Sequence, residues 1–263
     1  YNFIMRCCLS ELTGEYMSRY HWDHSPEAVA KRLAKGPRKV YIKDFVYGGI
    51  DGAVTTLAVV SGVAGAGFSS VVIIVLGLAN ILADGFSMAI GNYLGTKADN
   101  QHVENERRQE LLEIEMNPEG EREEIRQIFS AKGFSGDQLE EVVKVITADE
   151  TRWVNTMLQE EHGLQLHEHD AARAALVTFF SFAIVGTLPL MPFLINWWKA
   201  DIFGEPFLWS SGITLLAFFI IGAIKGRFVN ASWQRSGIET LLVGGVAALL
   251  AYGVGLMLRG LAN

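Results

Sequence analysis

Five long apolar stretches constrain this 263-residue chain more than any other feature of its sequence. A helix needs about 20 predominantly apolar residues to cross the hydrocarbon core of a bilayer. Five segments meet that requirement, and they cover residues 44–66, 70–96, 171–195, 206–226 and 236–259. The turn between the first two, GAGFSS, is long enough only for an antiparallel helical hairpin. The sequence therefore predicts an all-α membrane protein with five transmembrane helices in a lipid bilayer.

An acidic block interrupts these apolar stretches. Residues 97–170 contain 19 Asp and Glu against 8 Lys and Arg, a net charge of −11 in a chain whose net charge is −7. Helical apolar stripes run through the block, and one of them is formed by Leu139, Val142, Val143 and Ile146. We therefore expect a three-helix cytoplasmic domain between transmembrane helices 2 and 3, whose first helix continues the second span into water and whose last covers residues 135–163. Such a block attracts cations and repels nucleic acid, so nucleic acid is excluded as a partner.

The basic residues near the ends of the spans predict the orientation. On one side of the membrane lie the basic residues before the first span and those between spans four and five, namely Lys31, Arg32, Lys35, Arg38, Lys39, Lys43, Lys225, Arg227 and Arg235. The other side has Lys199 and Arg259, together with Trp197, Trp198 and Trp209 as an interfacial aromatic belt. The N-terminus and the acidic block are therefore expected in the cytoplasm.

Four segments follow from this reading. They are a cytoplasmic N-terminal segment (1–40), transmembrane helices 1 and 2 (41–96), a cytoplasmic helical metal-binding domain (97–168) and transmembrane helices 3 to 5 (169–263). Residues 1–40 lack the pattern of a signal peptide, and the adjacent Cys7 and Cys8 are read as incidental. Because nothing in the sequence resembles an organelle address, the expected location is the plasma membrane.

Polar residues at membrane depth are the first candidate functional residues. Asp51 lies in the first span, and Asn80, Asp84 and Met88 follow one another at intervals of four in the second, along one helix face. A carboxylate in a membrane usually lines a pathway or pairs with another group. A structural hydrogen bond for each Asp, and core packing for Met88, are the simpler alternatives.

The chemistry of this row favours a cation pathway. No basic residue lies near the middle of any predicted span, so neither Asp has an evident ionic partner. A buried, unpaired carboxylate tends to hold a proton, which it would release when a cation arrives. The Met88 thioether beside oxygen ligands suits a borderline metal such as ferrous iron better than calcium or magnesium. Small residues around the row favour close helix approach and a homodimer, namely Gly48, Gly49, Gly52, Gly85, Gly91 and Gly95.

The acidic block supplies the second set of candidates. Carboxylates or a thioether share one helix face in three groups, namely Glu106, Glu110 and Glu113; Glu121 and Glu124; and Met157 and Glu161. Like charges at this spacing destabilise a helix, so three such faces favour bound cations over a merely solvated surface. Four histidines are possible additional ligands, namely His102, His162, His167 and His169.

These motifs resemble the vacuolar iron transporter family over roughly residues 37–260. The likeness is carried by DGAVTTLAVVSG, ADGFSMAIGNYLGTK, PEGEREEIRQIFSAKGF and ADETRWVNTMLQEEHGL, in that order. The resemblance implies a dimer with five membrane helices and a cytoplasmic metal-binding domain. It also implies export of ferrous iron, and in some members manganese, from the cytosol in exchange for protons.

The resemblance also implies roles for individual residues. Asp51 and Met88 match membrane residues of the family, and six others match its cytoplasmic metal ligands, namely Glu110, Glu113, Glu121, Glu124, Met157 and Glu161. Two positions depart from the pattern: Asn80 replaces a glutamate of some members, and Leu158 replaces a second methionine.

The sequence thus predicts a proton-coupled exporter of Fe(2+), with Mn(2+), Co(2+) or Zn(2+) as further substrates, and not an enzyme. The alternative is a membrane-anchored metal buffer or sensor, although an anchor has no need of carboxylates at membrane depth. A di-iron oxidase is disfavoured, because the Glu-x-x-His pairs that such a bundle places on facing helices are not found.

Overall fold

A computed structural model describes residues 24–35, 41–166, 169–199 and 202–261, and the chain divides into two compact units, residues 1–40 and 41–263. Every regular element in the described ranges is helical. The first unit contains α1 (Pro26–Lys35). The helices of the second unit are α2 (Ile42–Ala66), α3 (Ser70–Met116), α4 (Pro118–Ala131), α5 (Gly136–Thr147), α6 (Glu150–Glu160), α7 (Ala171–Thr187), α8 (Met191–Trp198), α9 (Pro206–Phe228) and α10 (Trp233–Leu258), with 3₁₀ turns at Leu188–Leu190 and Arg259–Leu261.

Five helical segments are long and apolar enough to cross a membrane, which confirms the five predicted spans. They are α2, α3, α7 continued through α8, α9 and α10. The protein is therefore an integral membrane protein. The N-terminal expectations about Cys7 and Cys8 lie outside the described residues.

Helix α2 is the centre of the membrane bundle, because it contacts α3, α7, α9 and α10. Its residues Ala53 and Leu57 pack with Phe218 of α9 in a buried apolar core. The approach to α7 is closest at Gly48 and Gly52. A Cβ atom on Gly52 would lie 2.4 Å from the carbonyl oxygen of Phe182. The expected close approach of helices through glycine is therefore confirmed for helices α2 and α7.

The other predicted glycines divide into two groups. A Cβ on Gly85 would lie 3.1 Å from the Phe182 ring, whereas a Cβ on Gly91 or Gly95 would meet no atom within 4 Å in the described chain. Gly91 and Gly95 are one turn apart on α3 and leave one face of that helix open.

Helix α3 extends well beyond the membrane. Its 47 residues correspond to about 70 Å at 1.5 Å per residue, against about 30 Å for the hydrocarbon core. The remainder projects from the bundle, and α4, α5 and α6 pack near its far end around Ile125, Val143, Ile146, Trp153 and Met157.

Two segments expected to be single helices are interrupted. The third span breaks at Leu188–Leu190, because Pro189 and Pro192 lack the N–H groups that would continue the α-helical hydrogen bonds. The segment 135–163 forms two helices instead of one. Asp149 caps the second of them by accepting a hydrogen bond of 2.7 Å from the Arg152 backbone N–H.

Candidate functional site

Acidic residues of α3 and α4, together with Glu161 directly after α6, converge at the end of α3 that projects from the bundle. The carboxyl groups of Glu110, Glu113, Glu121, Glu124 and Glu161 are close enough to interact electrostatically. We call these five residues the acidic cluster. The three helix faces predicted separately from the sequence therefore meet at one place.

Local sequence signals bring the three helices together. Asn117 ends α3, and its side-chain oxygen accepts a hydrogen bond of 3.3 Å from Gly120 N, which starts α4 with Pro118 in its first turn. At the other end of the domain, α6 closes at Glu160 and the chain turns at Gly163, whose φ is +66°. Before that turn, the backbone N–H groups of Glu161 and His162 both donate to the Met157 carbonyl oxygen, so both residues continue the last turn of α6, and His162 contacts Glu110 of α3.

Two members of the acidic cluster are buried to a degree that is unusual for glutamate. Glu110 is 2% exposed and Glu121 is 5% exposed. The Oε2 atom of each is buried, and neither has a hydrogen-bond partner among the described residues. A buried carboxylate without partners costs several kcal/mol, so buried charges are normally paired or coordinate a metal.

The basic residues nearest in sequence do not neutralise the acidic cluster. Arg122 pairs with Glu119, Arg126 with Glu123 and Glu140, and Lys132 with Glu160. None of these four glutamates belongs to the cluster, and neither does Glu104, which pairs with Arg107 and Arg108 of α3. The carboxylates of the cluster therefore remain available to a cation.

Burial and mutual repulsion shift the proton affinities of the cluster. Burial, with the neighbouring Glu124 carboxylate as the next cause, raises the pKa of Glu121 to about 7. Burial and the Glu161 carboxylate also raise the pKa of Glu124. In the absence of a metal, Glu121 is therefore partly protonated near neutral pH, and a divalent cation would displace that proton.

Met157 belongs to the apolar core of the domain formed by α4, α5 and α6. Its side chain is fully buried and packs with Ile125, Val143 and Trp153, one turn before Glu161. Leu158, where the family pattern has a second methionine, is fully buried as well.

His162 joins the acidic cluster, although the sequence named it only as one of four possible additional ligands. Its Nε2 atom lies 2.7 Å from Glu110 Oε1, and this hydrogen bond raises the pKa of His162. One ligand atom from each of Glu110, Glu161 and His162 can be chosen so that all three lie within 4.8 Å of one another. Its position directly after Glu161 was the signal available in the sequence.

The remaining histidines lie elsewhere. His102 lies at the edge of the acidic cluster, where its Nδ1 atom is 3.5 Å from Glu106 Oε1. The other oxygen of that carboxylate, Oε2, is 3.9 Å from His162 Nδ1. The backbone of His169 exchanges hydrogen bonds with the Asn100 side chain near the start of α7. His167 lies outside the described residues.

The polar residues of the membrane region form a second group. Asn80, Asp84 and Met88 are half-buried on α3, and Asn80 Nδ2 donates a hydrogen bond of 3.3 Å to Thr55 Oγ1 of α2. Asn80 and Asp84 line a groove of about 540 Å³ between α2 and α3. The half-buried Asp51 lines a different groove of about 610 Å³ with Lys225 and Phe228, yet its carboxylate still interacts electrostatically with that of Asp84.

Sequence reasoning missed Asn92, which continues the row on α3 by one more turn. Its side-chain amide donates to Asp44 Oδ1 at 2.8 Å and to Thr178 Oγ1 at 2.7 Å, and so connects α3 with α2 and α7. The interval of four residues from Met88 was a signal that could have identified it.

Comparisons with known proteins identify the family of this chain. The model of the VIT family matches residues 42–256. The vacuolar iron transporter of Toxoplasma gondii is 36% identical over 226 residues, which are 83% of this chain and 74% of that protein. Vacuolar iron transporter 1 of Oryza sativa is 31% identical over 214 residues (81% and 83%), and that of Arabidopsis thaliana is 29% identical over 212 residues (80% and 83%). These matches confirm the resemblance seen in the motifs, and the chain belongs to the VIT family.

Proposed function

We propose that the protein transports ferrous iron and exports it from the cytosol in exchange for protons. The observation that supports this most is the pair of buried carboxylates, Glu110 and Glu121, whose Oε2 atoms have no hydrogen-bond partner in the described chain. A bound divalent cation would satisfy both and offset the repulsion within the acidic cluster. The names of the relatives, vacuolar iron transporter, identify iron as the first substrate to test.

The acidic cluster is the proposed site of metal capture. Its ligands would be Glu110, Glu113, Glu121, Glu124 and Glu161, with Met157 as a sulfur ligand and Glu106 at the edge. Oxygen ligands alone suit magnesium or manganese, and a thioether shifts the preference toward softer metals. Fe(2+) is therefore the proposed substrate, with Mn(2+), Co(2+) and Zn(2+) as candidates to compare.

The membrane residues are the proposed pathway. Asn80 and Asp84 share a groove, Asp51 approaches Asp84 from α2, and Met88 lies one turn farther along α3. Protons released from these carboxylates as metal binds would provide the coupling to proton movement.

The proposed orientation and assembly follow from the two ends and the open face of the bundle. Trp197, Trp198 and Trp209 are exposed at one end, as expected of an interfacial belt, and Lys225 and Arg227 lie at the opposite end of α9 from Trp209. We therefore assign the acidic cluster to the cytosolic side.

A homodimer would cover the open face of α3 at Gly91 and Gly95. The relatives are named as vacuolar, so they give no support to the plasma membrane expected from the sequence.

Metal flux into proteoliposomes tests the proposal. Purified protein is reconstituted, and uptake of Fe(2+), Mn(2+), Co(2+) and Zn(2+) is measured together with internal pH. We expect Fe(2+) flux coupled to proton movement in the opposite direction. Asp51→Asn should abolish flux and leave binding at the acidic cluster intact, because the amide keeps the volume but cannot ionise. Binding without flux in the unsubstituted protein would instead indicate a buffer or sensor.

A further inference from the structure

We propose that His162 is a nitrogen ligand of the metal held by the acidic cluster, together with Glu110 and Glu161, and that Glu106 orients its imidazole ring. This inference rests on the proposed function of the cluster as a metal site. It adds a donor that is absent from the six residues matched to the family's cytoplasmic metal ligands, and it selects His162 from the four histidines that the sequence offered as possible additional ligands. It also assigns Glu106, expected to be a direct ligand, to a supporting role.

The distances around His162 fit a shared metal. Two ligands at right angles, each about 2.1 Å from a metal, are about 3 Å apart. The Nε2 atom of His162 is 2.7 Å from Glu110 Oε1. For both atoms to bind one metal, they need to move apart by only a few tenths of an ångström. A carboxylate oxygen of Glu161 completes a group of three whose members lie within 4.8 Å of one another.

The buried carboxylate of Glu110 is an independent observation. Glu110 is 2% exposed, and while Oε1 contacts the imidazole, Oε2 has no partner in the described chain. A purely structural ion pair between Glu110 and His162 leaves that oxygen unsatisfied. A metal held by both side chains can satisfy it.

The other ring nitrogen faces Glu106. A metal-bound histidine usually donates its second N–H to a carboxylate or carbonyl, which fixes the ring and makes the ligand more basic. The Nδ1 atom of His162 lies 3.9 Å from Glu106 Oε2, and the other oxygen of that carboxylate lies 3.5 Å from His102 Nδ1. The 3.9 Å contact is longer than a hydrogen bond, so Glu106 would orient the His162 ring by closing on Nδ1 by about 1 Å when metal binds, while His102 contacts Glu106 from the solvent side.

An imidazole ligand has a measurable effect on metal preference. Nitrogen donors favour Co(2+) and Zn(2+) over Mn(2+), whose affinity depends mainly on oxygen ligands. Loss of His162 should therefore weaken binding of Co(2+) by about tenfold or more and weaken binding of Mn(2+) less. The ratio of the Co(2+) affinity to the Mn(2+) affinity shows whether the imidazole binds the metal, because a general loss of structure lowers both affinities.

Calorimetric titration of the full-length protein in detergent with Co(2+) and with Mn(2+) tests the proposal. The variants are His162→Leu, His162→Gln, which keeps a hydrogen bond to Glu110, and His169→Leu as the matched control. His169 contacts Asn100, which lies ten residues, about 15 Å, from Glu110 along α3. Both His162 variants should lower the Co(2+) to Mn(2+) affinity ratio, and His169→Leu should leave it unchanged.

Three results would overturn the inference. An unchanged ratio in His162→Leu means that the imidazole does not bind the metal. A ratio restored by His162→Gln means that His162 only positions Glu110. If the unsubstituted protein binds neither metal, the acidic cluster is not a metal site, and the capture step of the proposed function fails as well.

Discussion

Replacing Glu121 by Gln tests whether the metal-free acidic cluster destabilises the helices that form it. The pKa of Glu121 is raised from 4.5 to about 7 by burial and by neighbouring carboxylates. The folded protein therefore favours the protonated acid, whereas the unfolded chain ionises near pH 4.5. As pH rises from about 4.5 to about 7, the unfolded state binds fewer protons than the folded state, so the stability of the folded state falls.

The magnitude follows from the size of that shift. A difference of about 2.5 pKa units corresponds to about 3 kcal/mol at 1.36 kcal/mol per unit, and the full loss is present above pH 7. Glu121→Gln keeps nearly the same volume and cannot ionise. At pH 8 and without metal, the variant should therefore resist local opening of α4 and α6 better than the unsubstituted protein. At pH 5 the two should be nearly equal.

Hydrogen exchange measured by mass spectrometry on the full-length protein in detergent is the assay. The free energy of opening is obtained for peptides of α4 and α6 between pH 5 and 8, after correction for intrinsic exchange rates. Glu123→Gln is the control on the same helix. Because the hydrogen bond from Arg126 lowers the pKa of Glu123, that substitution should not relieve the loss of stability at high pH.

A metal should reverse the effect of pH in the unsubstituted protein. Co(2+) at a hundredfold excess over its dissociation constant should add about 2.7 kcal/mol to the stability of the folded state. Glu121→Gln should gain less at the same Co(2+) concentration, because a ligand is lost. A stability that does not fall from pH 5 to 8, or a variant no more stable at pH 8, would refute the reasoning.

Two further predictions concern the membrane region. Met88→Leu should lower proteoliposome flux of Fe(2+) relative to Mn(2+), because leucine fills a similar volume without the soft sulfur; equal relative rates would make Met88 a packing residue. Gly52→Ala should destabilise the bundle by about 1–3 kcal/mol in thermal unfolding, because its Cβ would lie 2.4 Å from the Phe182 carbonyl oxygen. Gly253→Ala is the matched control and should not destabilise, because its added Cβ meets no atom of the described residues within 4 Å.

Length and periodicity determined much of this protein from its sequence. Apolar stretches of sufficient length specified the five spans, because a backbone in lipid must satisfy its hydrogen bonds within each helix. The intervals of three and four residues also specified which glutamates share a face of α3 and α4. These properties depend on local geometry alone, so the sequence is enough to predict them.

Tertiary structure decided which of those faces meet and what else joins them. Burial of Glu110 and Glu121, and the contact of His162 with Glu110, depend on how α3, α4 and α6 pack at Asn117 and Gly163. The link from Asn92 to Asp44 and Thr178 likewise joins residues 48 and 86 positions apart in the chain. Periodicity assigns a side chain to a face of its own helix, but only the packing of separate helices determines which side chains lie within bonding distance.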